Sequence, residues 1–259
     1  MKICVLMKQI PDPASALRIR ADERWVDDSH LVYSANESDS YALEEALLLK
    51  EAHGGEVVVV TAGSARTTQM LQDALAKGAD RAIHVALESD GYLDSHGMAH
   101  LFAATLRAEA FDLILTGLQS DDTGHGQLGP MLAELLDLPH VTLVVATEID
   151  GTSMQVKQEL EGGWFQNVTA SMPVLLTIQS GINKPRYASL KGIMAMKSKE
   201  IKEVLPGGLG IDPQKLQPMQ TVGRIYLPVK SKETVFLEGS PAEVAEQLVE
   251  KLTNDAKVL

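Results

Sequence analysis

The chain of 259 residues carries 35 acidic and 23 basic side chains, which gives a formal net charge of -12. This acidic balance repels phosphate backbones and argues against DNA or RNA as partners. Hydrophobic residues make up 45% and charged residues 22%, as in globular proteins, and no stretch approaches the ~20 apolar residues of a membrane span, so we expect a cytoplasmic protein without membrane insertion.

The chain begins with an apolar run at residues 3–7, which does not alternate with polar positions and is followed by Pro11-Asp12-Pro13. A short continuous run of this kind predicts a strand buried on both faces of a sheet. The single cysteine, Cys4, lies inside the run and is expected to be a buried thiol. The run is too short for a signal peptide, and it ends in Lys8 rather than in a small-residue cleavage site.

Alternating strand and helix patterns fill the next part of the chain. The first helix is predicted to begin near Ser38 or Asp39 and to end at Gly54-Gly55. Strands are predicted at residues 57–61, 81–85 and 113–116, and helices after them at residues 67–77, 95–108 and 128–136. This order predicts a doubly wound α/β fold with a mainly parallel, Rossmann-like sheet, because right-handed crossovers place helices on both faces of such a sheet.

The pattern changes after Pro139. Four strands are predicted at residues 141–149, 154–160, 164–170 and 174–179, and we expect them to be antiparallel additions to the sheet. A helix is predicted near residues 191–202. Pro206-Gly207-Gly208 is typical of a linker, and Ser240-Pro241-Ala242-Glu243 of the start of a terminal helix that ends near Leu252. We therefore expect a core over residues 1–205 and a linker with a C-terminal arm over residues 206–259.

Loops follow three of the predicted parallel strands, at residues 8–12, 62–65 and 117–129. They are candidate ligand contacts, because ligands of open parallel sheets lie beyond the carboxyl ends of the strands. The third loop combines four glycines with hydroxyl and amide side chains and the start of a helix, which together can hold phosphate or ribose. A tight connection without any ligand has the same pattern, so both interpretations stay open at this point.

The third loop also limits the chemistry. No Walker A sequence is present, and the G-x-G-x-x-G of residues 124–129 begins too late after its strand for the dinucleotide fingerprint. His125 is a candidate base, but no nucleophile or metal-ligand cluster stands at a recognisable spacing. We assign no catalytic residue and no metal ligand.

Several longer motifs resemble a known family. They are residues 5–9, residues 36–39 leading to residues 43–46, residues 76–81, the loop of residues 117–129, and Asn183-Lys184-Pro185-Arg186-Tyr187-Ala188-Ser189-Leu190. With these motifs the chain resembles the beta subunits of electron-transfer flavoproteins along nearly its whole length. The last motif, together with residues 159–163, is most similar to the branch that serves trimethylamine dehydrogenase.

The resemblance implies a structural AMP in this chain and an FAD held mainly by a larger alpha subunit. The positions that match the family's AMP contacts are Leu6, Asn36, Glu37, Ser38, Asp39, Ala62, Gln119, Ser120, Thr123, Gly124, Gly126, Gln127, Leu128 and Gly129. Leu6 and Ala62 would leave apolar space for adenine, and the amides at the start of the helix near Leu128 would bind phosphate.

Two alternatives to an AMP-binding beta subunit remain, one with a different cofactor and one from a different class of protein. In bifurcating members of the family a second FAD takes the place of AMP, but the loop sequence of residues 120–124 lacks their aspartate-glycine-aspartate-threonine pattern and favours AMP. A stand-alone adenine-nucleotide-binding protein on the same fold would need neither the motif of residues 183–190 nor the long C-terminal tail.

The resemblance also implies a recognition loop at residues 183–196 that docks a donor dehydrogenase through Tyr187, Leu190 and Ile193. Leu190 would enter an apolar pocket of the dehydrogenase, while Lys184, Arg186 and Lys191 steer an acidic partner. Without the family, burial of Leu190 in the core would be the first interpretation. The terminal helix would contact the alpha subunit, as would Glu161, and the chain would act as an electron-carrier subunit without catalysis of its own.

Overall fold

The computed structural model describes residues 1–88, 93–228 and 234–259. The described strands are β1 (Lys2–Leu6), β2 (Gln9–Pro11), β3 (Tyr33–Ala35), β4 (Glu56–Gly63), β5 (Arg81–Ala86), β6 (Leu113–Gly117), β7 (His140–Asp150), β8 (Ser153–Glu159), β9 (Phe165–Ser171), β10 (Val174–Ile178) and β11 (Ile201–Val204). The described helices are α1 (Glu37–His53), α2 (Thr68–Lys77), α3 (Ser95–Leu106), α4 (Leu128–Leu135), α5 (Leu190–Ala195) and α6 (Pro241–Asn254).

The central sheet has the strand order β11-β5-β4-β1-β6-β10-β7-β8-β9. Its first seven strands are parallel to one another, from β11 to β7. Successive valines of β4 explain why such a strand has no polar face, since Val57 and Val59 join the apolar cluster on one side of the sheet and Val58 and Val60 the cluster on the other. The predicted doubly wound, mainly parallel fold is confirmed, and Cys4 is buried in β1.

Helices cover both faces of this sheet. Helices α1 and α2 bury their apolar side chains in the same cluster as Val57, whereas α3 and α4 belong to the cluster of Val58 on the opposite face. Helix α1 begins at Glu37, one residue ahead of the prediction, and its C-terminal Gly54 has a φ of 72°, which favours glycine. The crossovers therefore place the carboxyl ends of β1, β4 and β6 at one edge, where their loops meet.

The strands after Pro139 depart from the prediction. Only β8 and β9 are antiparallel additions, paired as β7-β8-β9, whereas β10 lies between β6 and β7 and is parallel to both. The expectation of four antiparallel strands was therefore wrong for β10 and for the junction of β7 with the core. All five residues of β10 are buried and apolar or threonine, the pattern of a central parallel strand.

The helix predicted at residues 191–202 was wrong in its second half. Helix α5 ends at Ala195, a short 3₁₀ turn follows at Met196–Ser198, and β11 then pairs with β5 as the outer parallel strand. Ile201 packs on one core cluster and Val204 on the other. Pairing with a strand more than a hundred residues away overrides the local helical pattern, which carries no sign of it.

The chain forms two compact units, Met1–Gly223 and Arg224–Leu259. Residues 206–223 belong to the first unit, where the Asp94 carboxylate accepts hydrogen bonds from the backbone N–H groups of Met219 (2.7 Å) and Gln220 (2.9 Å). The division expected at residue 205 stays a prediction. In the second unit, Ser240 and Glu243 form the capping box of α6, as the sequence indicates, and none of the described residues is buried.

Candidate functional site

Loops at the carboxyl ends of β1, β4 and β6 surround a cavity of about 310 Å³. Of the predicted contacts, Leu6, Asn36, Asp39, Ala62, Gln119, Ser120, Thr123, Gly126, Gln127, Leu128 and Gly129 line this cavity. The loops thus converge as the strand order requires. Glu37 and Gly124 are instead exposed, and Ser38 is buried behind the lining.

The N-terminus of α1 fastens the loops to one another. The Asn36 side chain donates to the Gln119 carbonyl (2.8 Å) and accepts from the Asp121 N–H (3.0 Å). The Ser38 hydroxyl donates to the same Gln119 carbonyl at 2.8 Å. Both side chains therefore set the shape of the glycine-rich loop, and their hydrogen-bonding capacity is largely satisfied within the protein.

Asp39 joins the first loop to the third. Its carboxylate accepts hydrogen bonds from the N–H of Lys8 (2.7 Å) and from the N–H of Gly117 (3.0 Å). Burial raises the pKa of this carboxyl from its ordinary value to about 7, and the backbone N–H donors oppose that rise. Gly117 is required beside it, because a Cβ there would lie 2.3 Å from an Asp39 carboxylate oxygen and 2.2 Å from the Ser38 hydroxyl.

The start of α4 faces the polar side of the cavity. Leu128 and Gly129 in its first turn line the cavity, and the free N–H groups of a first helical turn are donors for an anion. Gly129 permits a close approach to the sheet, since a Cβ there would lie 2.4 Å from a methyl group of Thr177. Ser120 and Thr123, whose hydroxyls are 2.8 Å apart, line the same side.

Two cations at the rim were missed by the sequence interpretation. The Lys8 ammonium donates to Asp122 (2.7 Å) and Ser120 (3.2 Å), and the Arg66 guanidinium lies 3.6 Å from the centre of the Tyr33 ring. Both residues line the cavity. Lys8 lies in the first candidate loop and Arg66 lies one residue beyond the second, so proximity to these loops was a usable signal.

The apolar side of the cavity contains Leu6 and Ala62, as predicted, together with Met98 and Phe102 of α3 and Leu128 of α4. The contribution of α3 was missed, because nothing in its sequence indicates that its first turns reach the ends of β1 and β4. The cavity thus has one apolar wall and one polar wall. A flat heterocycle suits the first wall, and an anionic group suits the second.

The predicted docking residues lie elsewhere, around α5. Tyr187 is 93% exposed and Leu190 is 77% exposed, and Ile193 is also exposed. Burial of Leu190 in the core is thereby contradicted. Arg186 was expected to steer a partner, but it is held by Glu44 and Glu51. Lys184 and Lys191 remain exposed beside the apolar side chains.

His125 lines the cavity, but no catalytic partner for it is apparent among the lining residues. Among residues 1–88, 93–228 and 234–259, no three His, Cys, Asp or Glu side chains are grouped as metal ligands. Within the same described ranges, no helix is long and apolar enough to cross a membrane.

The sheet order and the cleft at its carboxyl edge define an α/β protein of the Rossmann-like class. Residues 24–206 match the model of the electron transfer flavoprotein domain family. The chain is 37% identical to the electron transfer flavoprotein subunit beta of Bacillus subtilis over 261 aligned positions, with 100% of both chains covered. It therefore belongs to the electron transfer flavoprotein family, as its motifs suggested.

Two more relatives are also electron transfer flavoprotein beta subunits. The chain is 37% identical to the subunit beta of Methylophilus methylotrophus, covering 96% of this chain and 97% of that protein, and 34% identical to the human subunit beta, covering 82% and 84%. The relatives from Bacillus and Methylophilus are both 37% identical to this chain. These identities do not test the similarity to the trimethylamine dehydrogenase branch, so that finer assignment stays a prediction.

Proposed function

We propose that this chain is the beta subunit of a heterodimeric electron-transfer flavoprotein, which holds a structural AMP and supports an FAD bound mainly by the alpha subunit. The observation that carries the proposal is the cavity with one apolar and one polar wall at the carboxyl edge of the sheet. The chain also matches beta subunits over nearly the whole length of both proteins. The bound FAD supplies the electron chemistry, and this chain supplies its support and the docking of redox partners.

The residues of the cavity fit AMP. Leu6, Ala62 and Phe102 would contact the adenine, and the first-turn amides at Leu128 and Gly129 would bind the phosphate. Lys8 adds a positive charge on the phosphate side, where it would offset part of the charge of the anion. The cavity of about 310 Å³ lies within the range of roughly 300–1,000 Å³ for ligand pockets, and the loop sequence of residues 120–124 favours AMP over a second FAD there.

The exposed apolar side chains of the C-terminal unit support an alpha-subunit partner. In the unit Arg224–Leu259, Tyr226, Phe236 and Leu248 are exposed, and no described residue is buried. A segment of this kind gains little by folding alone, because its apolar side chains stay in water. We propose that the arm, with α6, lies on the alpha subunit, and that Glu161 at the turn before β9 also contacts it.

The docking role belongs to the recognition loop. Tyr187, Leu190 and Ile193 offer exposed apolar surface, and the exposed Lys184 and Lys191 can steer an acidic dehydrogenase. Electron transfer needs proximity without bond formation, so a small contact that dissociates quickly is sufficient. We propose that donor dehydrogenases bind here and that the chain itself performs no catalysis.

Expression of the chain together with its alpha partner tests the proposal. We expect a yellow heterodimer that contains FAD and accepts electrons from a dehydrogenase. A colourless monomer without nucleotide would contradict the proposal. ATP turnover by the isolated chain would instead favour the stand-alone nucleotide-binding protein.

A further inference from the structure

Glu44 is one of three buried carboxylates of α1, beside Asp39 and Glu45, and it is only 5% exposed. A buried carboxylate is costly unless it is paired and hydrogen-bonded. Its partner is Arg186, which comes from the recognition loop, 142 positions further along the chain. The recognition loop thus satisfies the buried charge of Glu44 through Arg186, the residue directly before the exposed Tyr187.

The contact between Glu44 and Arg186 has a fixed geometry. One carboxylate oxygen accepts from the Arg186 backbone N–H (3.0 Å) and from Nε (2.9 Å), and the other accepts from Nη2 (2.9 Å). A two-pronged contact with an additional backbone bond fixes both the side chain and the main chain of Arg186. The hydrogen bonds that the Arg186 guanidinium donates to Glu44 and Glu51 also raise its pKa above its ordinary value.

Glu51 contributes less than Glu44. Its side chain is 57% exposed, against 7% for Glu44, and it binds only the outer nitrogens of the guanidinium. An exposed pair is screened by water and salt, whereas a buried pair is not. Glu44 is therefore the main anchor of Arg186.

The loop has a second anchor on its other side. The Ser189 hydroxyl accepts from the Gly192 N–H (3.0 Å) and caps α5, and a Cβ on Gly192 would lie 2.0 Å from the carbonyl oxygen of Ala76 in α2. Helix α5 thus packs closely against the end of α2. The Lys199 ammonium, just after α5, also binds α2 by donating to the Leu75 carbonyl (2.9 Å).

Between the two anchors, Tyr187 and Leu190 have almost no contact with the rest of the protein to orient them. Their direction is set by the main chain on each side. Because preorganisation reduces the ordering cost of binding, the anchors determine how readily these side chains engage a partner. We infer that Glu44 is a positioning residue for docking: through Arg186 it holds Tyr187 and Leu190 in the arrangement that a donor dehydrogenase binds, an inference that rests on the docking role proposed above.

The test uses the αβ complex with two variants, Glu44→Leu and the isosteric Glu44→Gln. Arg107→Gln is the control, because Arg107 follows α3 on the opposite face of the sheet and donates a hydrogen bond to the Leu135 carbonyl (2.8 Å). Each complex is assayed with a dehydrogenase that reduces the wild type, trimethylamine dehydrogenase being the first tried. The complex itself is the varied substrate, and amide hydrogen exchange of residues 186–193 is measured in parallel.

We expect Glu44→Gln to raise the KM for the complex about tenfold and Glu44→Leu to raise it more, with kcat, FAD content and reduction of the flavin by dithionite unchanged. Exchange of the Arg186 and Gly192 amides should become faster in both variants, and Arg107→Gln should behave as the wild type. An unchanged KM and unchanged exchange in the Glu44 variants would overturn the inference. A rise in KM that Arg107→Gln reproduces would also overturn it, since the effect would then be one of general stability.

Leu190→Ala, measured in the same series, separates this inference from the docking role. If Leu190→Ala raises the KM and the Glu44 variants do not, the docking role stands and the positioning role is refuted. If none of these variants raises the KM, both are refuted.

Discussion

The nucleotide cavity and the recognition loop satisfy their side chains in opposite ways. In the cavity, Asn36, Ser38 and Asp39 form hydrogen bonds within the protein that hold the loops together before any ligand enters. In the recognition loop, Tyr187 and Leu190 point their apolar groups into water. The first arrangement suits a ligand that stays bound, and the second suits a partner that comes and goes. Helix α1 serves both, since Asn36 at its N-terminus binds the Gln119 carbonyl of the glycine-rich loop and Glu44 anchors the recognition loop.

The largest effect on stability is expected from Gly117→Ala, which changes the cavity and leaves the recognition loop unaltered. The new Cβ would meet the Ser38 hydroxyl and the Asp39 carboxylate, so the loop must shift, at a cost of about 3 kcal/mol in the free energy of unfolding. AMP content should fall with it. Urea denaturation and nucleotide analysis of the complex measure both quantities.

Gly207→Ala is the matched control for this change, because a Cβ at Gly207 would meet no atom within 4 Å. Equal stability and AMP content in the Gly117 and Gly207 variants would show that the loop is not shaped by this close contact.

The next largest effect, on the KM for the dehydrogenase, is expected from Leu190→Ala, which changes the recognition loop and leaves the cavity unaltered. Loss of an apolar anchor at a small interface should raise the KM for the dehydrogenase by about 30-fold, or about 2 kcal/mol, with FAD and AMP content intact. Leu205→Ala serves as control, because Leu205 is also exposed, at 62%, but lies outside the loop. Equal KM values for the two variants would argue against a specific docking role.

The predictable part of this molecule is the part that depends on local pattern. Residues 57–60 and 113–115 are continuous apolar runs, and their strands, their parallel order and the convergence of their loops follow from them. Strand β11 could not be predicted from its residues, because its pairing with β5 depends on a distant part of the chain. Phe102 was not predicted as a site residue for the same reason, since only the packing of α3 against the sheet brings it to the cavity.

Another expected effect concerns the pH dependence of stability. The raised pKa of Asp39, about 7, means that the folded state binds a proton more tightly than the unfolded state does. The contribution of this residue to stability should therefore fall as pH rises from about 4 to 7, by at most about 1.4 kcal/mol per pH unit. Asp39→Asn should remove that slope. Urea denaturation of both complexes at pH 5 and pH 7 measures it, and identical slopes would contradict the assignment.

The smallest effect is expected from Lys8→Met at the rim of the cavity. The ammonium is partly neutralised by Asp122, so its loss should weaken AMP binding by only about fivefold, or ~1 kcal/mol. Titration of AMP into stripped complex measures the affinity. Lys202→Met, which removes an exposed lysine from β11, is the control, and an equal affinity in both variants would place the phosphate away from Lys8.

Identification of the nucleotides released by acid from the purified αβ complex tests the central claim most directly. The account predicts one AMP and one FAD per heterodimer, with the AMP lost from Gly117→Ala and kept in Leu190→Ala. Two FAD molecules and no AMP per heterodimer, or a complex without any adenine mononucleotide, would contradict it.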